Sequence, residues 1–122
     1  MEEKRIFTIE FDKPVKLIKL DKEGLEFSDG TKITDYHDQD CCEYVYADWE
    51  QLSDTGIMEE EFRKIRITGN PLLGIVLNGT YAVPCYNSQN GYYSSSLSII
   101  VNQEGRPEIT IDISGFVKDD ID

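Results

Sequence analysis

Apolar and polar residues alternate in short runs along most of this chain, at the period of two that marks β-strands. Arg5-Ile6-Phe7-Thr8-Ile9-Glu10-Phe11 alternates imperfectly and is rich in β-branched and aromatic residues, which predicts a first strand. Asp12-Lys13-Pro14 breaks it. In the next strand Val15 and Leu17 share one face with Lys19, and Lys16, Ile18 and Leu20 share the other. A short strand at Leu25 to Phe27 lies between turns at Lys22-Glu23-Gly24 and Ser28-Asp29-Gly30. Residues 31–37 and 41–47 form two more, with Asp38-Gln39-Asp40 as the bend. Residues 47–52 read as a short helix, anchored in the core by Trp49, with Asp48 favouring its first turn. Residues 55–62 are ambiguous: Met58 and Glu59-Glu60-Glu61 favour helix, but strand alternation returns over 63–68.

Gly69-Asn70-Pro71 interrupts the pattern, and residues 72–77 are a short apolar run typical of a central strand. Asn78-Gly79 is the strongest hairpin signal in the chain, returning through Thr80-Tyr81-Ala82-Val83. Pro84 places a sheet edge or bulge there. After a polar loop at Asn87-Ser88-Gln89-Asn90-Gly91, residues 92–101 and 108–113 form the last two strands, and residues 118–122 an acidic, frayed tail. Eight to ten strands joined by short turns predict a mainly β, α+β at most, single domain over residues 1–122. The expected architecture is an antiparallel β-sandwich or partly open barrel with one or two short helices. At 122 residues, a domain can bury enough surface to need no disulfide or metal staple.

Charge divides the chain. Residues 33–62 carry ten carboxylates and no Lys or Arg, whereas residues 67–103 carry no formally charged side chain. The neutral stretch must fold inward as sheet, while the acidic block stays solvated, paired or bound to a cation. A net charge of −12 repels nucleic acid and anionic membrane and attracts basic protein surfaces. The N-terminus shows no secretory pattern and no segment has the length of a bilayer span. Three cysteines cannot all pair within one chain, so free thiols in a reducing cytoplasm are expected.

The acidic block concentrates the versatile groups. If any metal binds, His37, Cys41 and Cys85 are its ligands, with Cys42 beside them. Straight-strand geometry opposes this. His37 and Cys41 would stand about 13 Å apart, and Cys41 and Cys42 would face opposite sides. Asp35, Asp38, Asp40 and Glu43 lack the glycine-bearing loop common in calcium sites. A Cys41 or Cys42 nucleophile with His37 as base is available in composition, but local clustering does not meet the geometric tests for a catalytic site. No phosphate-binding loop, dinucleotide fingerprint or zinc-protease motif occurs. No catalytic residue and no cofactor is therefore assigned. Tyr44, Tyr46, Tyr81, Tyr86, Tyr92 and Tyr93 supply either cross-strand packing or binding surface.

The run Tyr36-His37-Asp38-Gln39-Asp40-Cys41-Cys42-Glu43-Tyr44-Val45-Tyr46 resembles a family of small uncharacterised bacterial and phage proteins with a His-x-Gln-Asp-Cys-Cys-Glu core. Asn90-Gly91-Tyr92-Tyr93-Ser94 resembles the second motif of that family. The resemblance implies a compact β-rich domain of bacterial or phage origin and carries no catalytic assignment. The expected function is a cytoplasmic, non-catalytic binding module. Its surface would be built from His37, Gln39, Asp40, Cys41, Cys42, Glu43, Tyr44, Tyr92 and Tyr93, and its partner would present a basic surface, with neither nucleic acid nor membrane bound directly. Two alternatives stand: an acidic mimic of nucleic acid that inhibits a DNA-binding protein, and a metal- or thiol-dependent enzyme using His37 with Cys41 or Cys42.

Overall fold

One strand organises the molecule. The computed structural model describes residues 4–36, 45–70, 72–87 and 97–119. Within them β1 (Lys4–Asp21) runs for 18 residues straight through the break expected at Asp12-Lys13-Pro14. The break is instead absorbed as a bulge. Glu10 pairs with Lys64 and Val15 with Phe62, so the residues between protrude from the ladder without ending it. Pro14, which has no N–H to donate, costs no ladder bond there.

Beyond the bulge Val15 and Lys16 still pair, like the first part of the strand, with β5 (Glu61–Asn70), and β1 changes partners at Leu17. Its last residues pair with β2 (Gly24–Phe27), and both pairings are antiparallel. From β2 the sheet continues to β3 (Lys32–Tyr36), then β9 (Ser98–Asn102) and β10 (Ile109–Asp112). From β5 it continues to β6 (Gly74–Leu77) and β7 (Tyr81–Val83). The resulting eight-stranded sheet, in the order β10-β9-β3-β2-β1-β5-β6-β7, is open. A second sheet of three strands joins β4 (Val45–Ala47), β8 (Cys85–Asn87) and β11 (Val117–Asp119). The mainly antiparallel β class is as expected. The β11–β8 pair is parallel, and residues 117–119, expected in part as a frayed tail, are a strand.

Both arms of the large sheet and the small sheet feed one apolar cluster, which includes Ile9, Phe27, Ile33, Trp49, Ile67, Leu77, Val83, Cys85, Ile99 and Ile113. The neutral segment supplies much of it, as its lack of charge requires. Aromatic rings tie the arms together: Phe27 of β2 meets Phe62 of β5 edge-on at 6.1 Å, and Phe62 meets Tyr81 of β7 at 6.4 Å.

Two local expectations are corrected. Alternation holds through Ile18, which is exposed like Lys16, and fails after it, where Lys19 is exposed and Leu20 half-buried, because a further register shift lies between Leu17 and Lys19. Leu17 pairs with Phe27 before the shift and Leu20 with Leu25 after it. The short helix expected at residues 47–52 is a 3-10 turn, Trp49–Leu52, and the ambiguous residues 55–62 hold a second, Ile57–Glu59. No turn of either is long enough to propagate, since Ser53 closes the first and Gly56, at φ 81°, opens the second.

Candidate interaction surface

Asp35 shows how the acidic block is held. It lies one residue before the end of β3, half-buried, and its two oxygens accept from different partners: the Ala47 N–H at 2.9 Å and the Trp49 Nε1–H at 3.1 Å. This carboxylate is therefore part of the framework, joining β3, β4 and the first 3-10 turn. Trp49, Leu52 and Ile57 are buried, and the Asp48 N–H donates to the Pro84 carbonyl at 2.8 Å. The connection between β4 and β5 is thus anchored at both turns.

Its outer surface is anionic. Glu50, Asp54, Glu59, Glu60 and Glu61 are exposed and Asp48 is half-buried. Among the described residues no Lys or Arg forms an ion pair with any of these six; the described pairs are Lys19–Asp21 and Arg106–Asp12. Glu60 instead accepts the Tyr81 hydroxyl, and that hydrogen bond, followed by burial and the nearby negative charge, pushes the phenol up to about 12. Tyr46 and Tyr86 sit directly opposite each other on β4 and β8, rings 5.7 Å apart, which is cross-strand packing on a half-exposed face.

Of the residues assigned from sequence, His37, Gln39, Asp40, Cys41, Cys42, Glu43, Tyr44, Tyr92 and Tyr93 lie outside the described residues. Cys85 is described, and it is core: 0% exposed, with its thiol 3.6 Å from the Val83 carbonyl that accepts from it. Burial, reinforced by the charge of Asp35, pushes this thiol up to about 12. Thiolate is the form that ligates or attacks, so deprotonation of Cys85 is opposed at neutral pH. Among the described residues no group of three or more His, Cys, Asp or Glu side chains could hold a metal ion. In native protein at pH 8, Cys85 is expected to resist iodoacetamide until the chain is unfolded. Site-resolved mass spectrometry would check this, and native labelling of Cys85 at the rate of a free thiol would contradict its burial.

Sequence reasoning missed the role of Asp35, which it grouped with candidate cation ligands. No local signal distinguishes a carboxylate aimed at an indole 14 residues away. It also missed the bulged edge of β1, because Pro14 read as a terminator.

Fold and surface together define a mainly antiparallel β domain bearing a fixed anionic platform. Residues 3–99 match the family described as Domain of unknown function (DUF7448), and the chain belongs to that family. The match agrees with an uncharacterised family and itself assigns no activity, ligand or partner. No curated protein and no solved structure matches the chain. Among the described residues no helix is long and apolar enough to cross a membrane.

Proposed function

We propose that this domain is a non-catalytic protein-binding module whose working surface is the platform between β4 and β5, and whose partner is a protein with a basic face. One observation carries the reading: five carboxylates on a short connection pinned by Trp49, Leu52 and Ile57, with Glu61 at the start of β5 as a sixth, and no described cationic partner. Such a surface is preorganised, so little conformational freedom is lost on binding, and its field steers a basic partner toward it. In sequence, Asp38, Asp40 and Glu43 add further acids.

The test uses immobilised wild-type protein beside a Glu50→Lys, Asp54→Lys, Glu59→Lys variant, all at exposed positions. A protein retained from host lysate by wild type, lost on the variant and released by raised salt is the expected result. Equal retention on both surfaces would reject the platform as the contact. Inhibition of a DNA-binding protein by acidic mimicry is a narrower form of this reading, and it adds the expectation that duplex DNA competes for the captured protein.

A further inference from the structure

A groove follows β1 on the side away from β5. Its near wall is β1 from Phe7 to Val15, and its far wall is the β9–β10 hairpin. It consists of two adjoining hollows, of about 410 and about 290 Å³, which share Glu10, Gln103 and Arg106. The first is largely apolar, walled by Phe7, Val101, Pro107 and Ile109. In the second, four carboxylates (Glu10, Asp12, Asp29 and Glu104) outnumber two cations, Lys13 and Arg106. The described contacts that span the groove are slight: Gln103 Nε2 donates to the Glu10 carbonyl at 3.3 Å, and Arg106 lies 3.6 Å from an exposed Asp12 carboxylate.

The backbone of the near wall matters as much as its side chains. Before Leu17, β1 has β5 as its ladder partner, and among the described residues no strand pairs with its other edge. An open edge is a template for strand addition, in which main-chain bonds give affinity and hollows for alternate side chains give specificity. The bulge beyond Glu10 confines regular pairing to the first part of the strand, which limits indiscriminate edge-to-edge contact.

We propose that this groove binds an extended segment of a partner protein, paired along β1 near Phe7 to Glu10. An apolar side chain would fill the first hollow and a Lys or Arg two residues away would enter the second. Side chains two apart on a strand share a face and lie roughly 7 Å apart, which suits adjoining hollows. The combined size is that of a specific ligand cleft. The choice of a basic residue follows from the excess of carboxylates in the second hollow and from the net charge of −12. The groove shares no residue with the anionic platform, so each stands or falls separately.

The experiment titrates the protein with fluorescein-labelled decapeptides in a Ser/Thr/Gly background. One set carries Leu, Ile or Phe with Lys or Arg two positions away; control sets replace the basic residue by Glu or the apolar one by Ala. Members of the first set are expected to bind best. Asp12→Lys with Glu104→Lys, both exposed, is expected to weaken them by about tenfold, while Glu50→Lys with Glu59→Lys leaves them unchanged. Hydrogen exchange followed by NMR should show new protection of amides within residues 7–10. The proposal is overturned if the control sets bind as well, if the groove variants bind normally, or if protection appears elsewhere. It is equally overturned if only small apolar compounds occupy the first hollow.

Discussion

Trp49→Ala is expected to lower the free energy of unfolding by about 3–5 kcal/mol, the range for removing a large aromatic side chain from a packed interior. The side chain is 0% exposed and belongs to the one apolar cluster that all the sheets share. Its loss also removes the N–H that satisfies one oxygen of Asp35, so the join between β3 and the first 3-10 turn weakens together with the packing. Trp49→Phe separates the two effects: it keeps most of the buried ring and forfeits the hydrogen bond, so a smaller loss is expected. Urea unfolding with a common slope for wild type and variants would measure both. A loss below about 1.5 kcal/mol for Trp49→Ala would mean that the platform is not anchored as described. Because a domain of this size has only about 5–15 kcal/mol in total, partial unfolding of the alanine variant at 37 °C is expected as well.

Gly24→Ala is expected to cost about 3–5 kcal/mol or to prevent folding, for a different reason. Gly24 opens β2 with φ at 147°, and a Cβ there would lie 2.1 Å from the Ile33 carbonyl oxygen of the neighbouring strand. Backbone, not a side-chain tip, would have to move, and it would move at the junction where β2 pairs with both β1 and β3. Gly105→Ala is the control. It also has positive φ, at 78°, but nothing lies within 4 Å of the added carbon, so only the backbone strain of about 1 kcal/mol is expected. Thermal melts of the two variants side by side would check the contrast; equal losses would show that the clash is relieved.

What the sequence disclosed, and what it hid, follows from the range of the interactions. Strands Gly24–Phe27, Gly74–Leu77 and Tyr81–Val83 are set by short apolar or alternating runs and by the Asn78-Gly79 turn, where Asn78 itself adopts φ 54°. The inward folding of the neutral segment follows from its composition, since Ile75, Leu77, Val83, Ile99 and Val101 have no charge to solvate. The continuity of β1 was hidden because a proline usually ends a strand, and only the unequal advance of β1 against β5 shows that Pro14 does not end this one. The parallel partner of β8 was hidden because residues 117–119 are short and carry two charges, and they become a strand only through pairing with residues 85–87. Charge placement showed the platform as a solvated acidic stretch. Its rigidity depends on Asp35, whose partners lie 12 and 14 residues away, beyond the reach of any pattern in the chain.

The position of β1 at the middle of the large sheet sets the order in which this chain can mature on the ribosome. β1 emerges before β5 and must wait for it, and β3 must wait for residues 98–102 before its far side is covered. Until then the nascent polypeptide presents long, half-satisfied β surfaces that invite off-pathway association. The lysines at 13, 16, 19 and 22 fall on this early-exposed stretch, where charge acts as a gatekeeper against aggregation before the late strands arrive.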